Sequence, residues 1–174
     1  SKQNWQNDKI DINIYSKKNT KNNFNILVEL KLKNDWFIYW DNPGDAGIPT
    51  TFSWNNNIKR IANSKPEKRI FEEIVAQYGY SDVAYYLFEG ASDKDEISVN
   101  ISWEACKDEC EKENAFIEFT LSQNDDIIFD NVLEKARKTF PSILNKPFYT
   151  KTSYKDDNYF LDIIVENINS DEKI

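Results

Sequence analysis

A chain of 174 residues with 40% hydrophobic side chains is long enough for one large domain, or one domain with a small appendage. Its net charge of −8 leaves no basic stripe to neutralise phosphates, which argues against nucleic acid as a partner and against docking on an anionic membrane surface. With no His and no Met, and two Cys, it lacks the commonest general base, the commonest metal ligand and a thioether copper ligand, and it cannot close a four-ligand zinc site on cysteine alone. No cofactor and no metal are expected.

Aromatics are abundant at 14%, and large flat side chains suit a sandwich core or a shielded pocket. No run of about 18 apolar residues exists to cross a bilayer. No signal-peptide pattern opens the chain. The start at Ser1 is compatible with a processed end or with a piece of a longer membrane protein.

In chain order, residues 1–9 are polar and expected to fray. Ile10, Ile12 and Ile14 alternate with polar residues as a first strand, and Lys17 to Asn23 reads as a turn. Phe24, Ile26, Val28, Leu30 and Leu32 form the cleanest alternation in the sequence. Trp36, Phe37, Tyr39 and Trp40 then crowd five positions and run into a loop holding Pro43, Gly44, Gly47 and Pro49. Proline presets φ and glycine accepts positive φ, so this is a tight, rigid loop. It is either a strand leaving a core or an aromatic wall beside a site. Phe52 and Trp54 resume alternation, and 55–67 reads as loop.

Residues 69–76 fit a helical turn or an irregular strand. Tyr78-Gly79-Tyr80 is an aromatic-flanked glycine. Val83, Tyr85 and Leu87 form another strand, and 90–96 a polar turn. Ile97, Val99, Ile101 and Trp103 alternate before the two cysteines; Ala115, Ile117, Phe119 and Leu121 alternate after them. Then the period changes to that of a helix, with Phe129, Val132, Leu133, Ala136 and Phe140 on one face. Asp125 and Asp126 precede it, Asp130 is a candidate N-cap, Glu134 and Lys138 form an i,i+4 pair, and Pro141 ends it. Residues 148–154 and 159–165 read as a hairpin across 155–158. The expected organisation is an all-β unit over 1–122 and a helix-plus-hairpin extension over 123–174.

The chemistry lies in Trp103-Glu104-Ala105-Cys106-Lys107-Asp108-Glu109-Cys110, an excursion between two strands. On one helical turn the two Cα atoms would stand about 6 Å apart, within bridging range. So small a ring stabilises the fold by only about 2 kcal/mol. Spacing alone leaves a structural staple, a redox pair and a metal site open. Between Glu104 and Glu113 five acids face two lysines, which disfavours a thiolate, and no Arg or His stands nearby in sequence. A redox pair here is a sluggish nucleophile on its own, activated by its partners. Otherwise, the acids simply keep a loop soluble.

Three segments together resemble one family: 36–50 with its aromatic run and Asn42-Pro43-Gly44, Tyr78-Gly79-Tyr80, and 101–110 with both cysteines. They are similar to the periplasmic N-terminal domain of DsbD-type protein-disulfide reductases, the ScsB-like branch in particular. The resemblance implies a mainly β, immunoglobulin-like β-sandwich with the helix and hairpin as a small C-terminal extension. It implies a thiol:disulfide oxidoreductase module whose Cys106 and Cys110 are the catalytic pair, with Cys110 the attacked sulfur. It implies location in the periplasm of a Gram-negative bacterium, as the soluble part of an inner-membrane protein fused to a membrane domain. A thioredoxin-like redox domain would deliver electrons, and disulfide-containing periplasmic proteins would receive them. Phe37, Tyr39 and Trp40 match the strand that flanks the disulfide in that family, and Gln77-Tyr78-Gly79 matches the cap that shields it. Gln77 stands where relatives carry Phe, so the shield falls to Tyr78 or Tyr80. Two rival readings are a non-catalytic immunoglobulin-like binding module with a structural disulfide, and copper or zinc handling by thiolates and acids.

Overall fold

The computed structural model describes residues 2–121, 126–142, 148–155 and 158–165. Among the described residues, eleven strands and one helix belong to the first compact unit, residues 1–141; residues 142–174 form the second. The strands of the first unit are β1 (Lys2–Gln6), β2 (Ile10–Lys18), β3 (Asn23–Leu32), β4 (Phe37–Gly44), β5 (Thr51–Trp54), β6 (Ile58–Asn63), β7 (Glu67–Phe71), β8 (Val75–Tyr80), β9 (Val83–Ala91), β10 (Glu96–Cys106) and β11 (Cys110–Thr120). They build two antiparallel sheets. The first runs β1-β2-β3-β9-β6; the second runs β11-β10-β4-β8-β7, with β5 also paired to β10.

The alternation seen in the sequence is the packing rule of this sandwich. Ile10, Ile12, Ile14, Phe24, Ile26, Val28 and Leu30 from the first sheet meet Ile38, Ile97, Val99, Ile101 and Trp103 from the second in one buried core. Side chains of period two place every second residue between the sheets and leave its neighbours on the outer faces.

Two elements differ from the sequence expectation, and the structure decides a third that was open. Residues 2–6 do not fray: β1 pairs with β2, and the Trp5 ring meets that of Trp103 edge-on at 5.7 Å. One large aromatic and a full ladder outweigh the polar neighbours. Residues 58–63, expected as loop, form β6, an edge strand whose irregular register on β9 hides its alternation. Residues 67–80, open in the sequence between a helical turn and an irregular strand, form a hairpin, with Glu72 and Glu73 at positive φ (49° and 65°) making the bend.

The helix α1 (Asp126–Arg137) packs within the first unit, which ends at Pro141. Its apolar face needs a partner, and the outer face of the first sheet supplies Tyr15, Leu27, Tyr85 and Leu87 against Phe129 and Ala136. Asp130 lies inside the helix and pairs with Lys17 of β2 at 2.8 Å instead of capping the N-terminus. Asp125 lies outside the described residues. The Glu134–Lys138 pair forms at 3.9 Å. In the second unit, β12 (Phe148–Lys155) and β13 (Asn158–Val165) pair as the expected hairpin; residues 156–157 of its turn lie outside the described residues.

Candidate functional site

Strands β10 and β11 pair over eleven residue pairs, and the last of these is Cys106 with Cys110. The cysteines therefore face one another across the mouth of a three-residue hairpin loop, with Cα atoms 4.1 Å apart and the sulfurs joined. They do not sit on a helical turn. The loop is closed by the Lys107 amide donating to the Glu109 carbonyl at 3.1 Å. The two sulfurs are unequal: Cys106 is buried, while Cys110 is exposed.

The end of β10 pairs with the start of β4, Cys106 opposite Phe37 and Ala105 opposite Ile38. Alternation along β4 then sorts the aromatic run. Phe37 and Tyr39 fall on the outer face and form a small buried cluster with Cys106. Ile38 and Trp40 fall on the inner face with the sandwich core. Tyr80 is also an inner-face residue, its hydroxyl donating to the Ser64 carbonyl at 2.7 Å. Tyr78 shares that strand face, and its ring lies against Gly44. So of the five aromatic residues expected around the disulfide, two touch Cys106 and three are directed elsewhere. The reason is the period of a strand: a crowded aromatic run is split between two faces.

The Tyr39 hydroxyl donates to Cys106 Sγ at 3.3 Å. Its oxygen accepts from Gln77 Nε2 at 3.0 Å, and Gln77 Oε1 accepts from Arg69 Nε at 2.7 Å. The Arg69 guanidinium lies 3.8 Å from the centre of the Phe37 ring, a cation–π contact, and the Phe37 and Tyr39 rings meet at 84°. Burial pushes the Tyr39 hydroxyl above the ordinary tyrosine range, against the pull of the Arg69 charge. The hydroxyl is therefore a proton-bearing donor at neutral pH. Gln77 stands at the cap position as a buried hydrogen-bonding residue. Arg69 was not among the expected site residues, and Gln77 was expected only to mark the cap position, with the shield falling to its neighbours. They enter because the β7–β8 hairpin lays residues 69 and 77, register partners, beside β4.

Two glycines make room for this arrangement. Gly79 is the register partner of Tyr39, and a Cβ there would come within 2.8 Å of the Phe37 ring and 2.0 Å of the Ile38 carbonyl oxygen. Gly47, at φ 120°, lies flat on the Tyr39 ring, where a Cβ would come within 2.4 Å. The loop carrying Gly47 is fastened on both sides. The Thr50 amide donates to the Tyr39 carbonyl, Asp45 exchanges hydrogen bonds with Ala76, and the Ile48 amide donates to Glu104 at 3.0 Å. This is the rigid wall that the Pro-Gly composition of 43–49 foreshadowed.

The acidic surroundings are less one-sided than in the sequence. Lys9, buried beside Trp36, pairs with Glu113 at 2.7 Å and Glu111 at 3.0 Å, which raises its pKa. Two of the five acids are thereby compensated by a residue a hundred positions away. Glu104 is held by a backbone amide, with its carboxylate and both sulfurs within 4.8 Å of one another. Those three are the donor atoms that two thiolates and an acid would offer a metal ion once the bridge is open. With the bridge closed, the sulfurs are not thiolates.

A disulfide across the end of a hairpin, one sulfur buried against a tyrosine and one exposed, on an immunoglobulin-like β-sandwich, defines the class of this domain. Over residues 7–121 the chain matches the family described as thiol:disulfide interchange protein DsbD, N-terminal, and it belongs to that family. Its fold is similar to that of the N-terminal periplasmic domain of ScsB from Proteus mirabilis, with a TM-score of 0.72 at 17% identity. That likeness covers 92% of this chain and 66% of the ScsB chain. The reduced N-terminal domain of DsbD from Neisseria meningitidis aligns with a TM-score of 0.41 at 15% identity, over 63% of this chain and 83% of that one. No curated protein sequence matches. Among the described residues, no helix is long and apolar enough to cross a membrane.

Proposed function

We propose that this domain relays electrons in the periplasm by thiol–disulfide exchange, taking them from a thioredoxin-like reductant tied to a membrane protein and passing them to oxidised periplasmic proteins. The observation that carries this reading is the asymmetry of the pair: Cys110 is exposed, while Cys106 is buried against the Tyr39 hydroxyl. A partner thiolate attacks Cys110 Sγ. The Cys106–Cys110 bond breaks, and its electron pair leaves on Cys106, where the tyrosine hydroxyl donates to the new thiolate. The mixed disulfide between the partner and Cys110 is then attacked by the partner's second thiolate. That releases an oxidised partner and a dithiol domain, a transfer of two electrons. Delivery runs the same steps backwards, with Cys110 attacking a substrate disulfide and Cys106 resolving it. Phe37 and Tyr39 wall off the resolving sulfur from stray thiols, and partners enter from the Cys110 side.

A redox titration against glutathione tests the reading. A reversible midpoint near the poise of the periplasmic exchange proteins is expected. A midpoint well below about −300 mV marks an inert structural bridge and overturns it in favour of a binding module.

A further inference from the structure

The geometry points to Arg69 and Gln77 as positioning residues that aim the Tyr39 proton at Cys106, through a hydrogen-bond chain whose direction is set by the arginine. This deepens the electron-relay reading and rests on it for its role in turnover.

The direction follows from chemistry. A guanidinium has only donors. Arg69 Nε therefore donates, and the Gln77 atom it meets at 2.7 Å must be the carbonyl oxygen. The other end of the same amide must then be the NH2 group, which donates to the Tyr39 oxygen at 3.0 Å. Tyr39 has one hydroxyl hydrogen, and with its oxygen already accepting, that hydrogen goes to Cys106 Sγ at 3.3 Å. A glutamine left to itself turns over at little cost. Here the arginine, stacked on Phe37 and unable to accept, holds it one way round. The chain is also sheltered: Gln77, Tyr39, Phe37 and Cys106 are all buried. A donor aimed at a buried sulfur favours its thiolate over its thiol. Arg69 from β7 and Glu104 from β10 are the charges that act on the Tyr39 hydroxyl, and the Glu104 carboxylate also stands within 4.8 Å of both sulfurs, where it opposes the thiolate. Lys107, Asp108 and Glu109 occupy the hairpin loop itself.

Gln77→Glu is the informative variant, since it keeps the shape and removes the donor. A carboxylate accepts from Arg69 and from Tyr39 at once, so the tyrosine proton turns away from sulfur. The measurement is the Cys106 thiol pKa, read from thiolate absorbance against pH in a Cys110→Ser background, where Cys106 is the sole thiol. Gln77→Glu and Tyr39→Phe are each expected to raise it by about one unit, a tenfold loss of thiolate at a given pH below it. Arg69→Met is expected to raise it by less, and Arg69→Lys, donor-only and charged, to restore most of the loss. Because Gln77→Glu also adds a negative charge, the deciding comparison is Gln77→Glu in a Tyr39→Phe background. Most of its shift should vanish there. A shift as large without the tyrosine hydroxyl means the substitution acts by charge alone and overturns the relay of protons. The fate of the function is read separately, from electron transfer by the dithiol wild type. Transfer intact with the pKa order lost overturns this inference only. The pKa order intact with no transfer overturns the electron-relay reading only.

Discussion

The two outer faces of the sandwich each bury tyrosine hydroxyls, and they use them differently. On the first sheet, Glu29 is buried and gathers donors from Tyr85 at 3.1 Å, Asn13 at 3.0 Å and Tyr15 at 3.3 Å, with Asn4 bonded in turn to Asn13. On the second sheet, Arg69, Gln77 and Tyr39 form a chain that ends on Cys106. The first network converges on a group whose charge does not depend on redox state. It fastens β1, β2, β3 and β9 together. The second ends on an atom that becomes charged only when a bond opens. The same hydroxyl chemistry gives a fastening in one place and a poised donor in the other, because of what stands at the end of the chain.

The contrast predicts that changes on the first face alter stability and leave exchange untouched, and that changes on the second alter exchange by more than their effect on stability. The largest effect belongs to the Cys106→Ser, Cys110→Ser double variant. Electron transfer to an oxidised protein substrate falls to background, while urea unfolding loses only about 2 kcal/mol, since the ring closed by the bridge is small. Transfer persisting in that variant would remove the second face from the mechanism altogether.

Alkali attacks the first face and the core together. Burial pushes Tyr80 and Tyr85 up to about 12 and Tyr86 well above the ordinary value, and burial together with Glu29 raises Tyr15. Lys9 is raised by its bonds to Glu113 and Glu111. Each of these groups holds its proton in the fold at a pH where the unfolded chain, with tyrosine near about 10, gives it up. The stabilisation is whole below that value and is lost as pH rises through the folded values. Urea midpoints measured between neutral pH and about 12 should fall steeply only in the upper part of that range. A flat profile there would mean the tyrosines are hydrated in solution.

Smaller, and confined to the first face, is Glu29→Leu. It leaves the Tyr15, Tyr85 and Asn13 donors without their acceptor and is expected to cost about 3 kcal/mol in urea unfolding. The rate at which dithiothreitol reduces the domain should not change. A slowed reduction would show that the two faces are coupled through the core.

Last comes Gly47→Ala on the second face, as small in free energy as loss of the bridge. The residue takes φ 120° and would press a methyl group into the Tyr39 ring, for about 2 kcal/mol. Its signature lies in the rate: with Tyr39 displaced from Cys106, reduction by dithiothreitol slows by more than the stability change alone implies. Equal rates would show that the loop over Tyr39 serves packing only.

Strands were legible wherever apolar and polar residues alternate, even in β2 and β3, whose outer faces are covered as well. Ile10 to Ile14, Phe24 to Leu32, Ile97 to Trp103 and Ala115 to Phe119 all pair as their alternation implies, because side chains on a strand point to its two faces in turn. The edge elements of the first sheet were not legible. β1 and β6 lie at the ends of the first sheet, where half the ladder is free, and their sequence carries little pattern. The helix was legible by its period, but not its partner, since an apolar face does not name the surface it covers.

For the site, the sequence by itself determined the two cysteines, the short loop between them, the aromatic and Pro-Gly segments, and the acidic charge nearby. Each of these is a local property of composition and spacing. Only the tertiary structure decided which sulfur is buried, that Phe37 and Tyr39 rather than Trp40, Tyr78 and Tyr80 meet it, and that Arg69 and Gln77 stand behind them. Only the tertiary structure brought Lys9 to Glu111 and Glu113. Those outcomes depend on strand register and on which strands become neighbours, and a shift of one residue in register would have sent every one of these side chains to the opposite face.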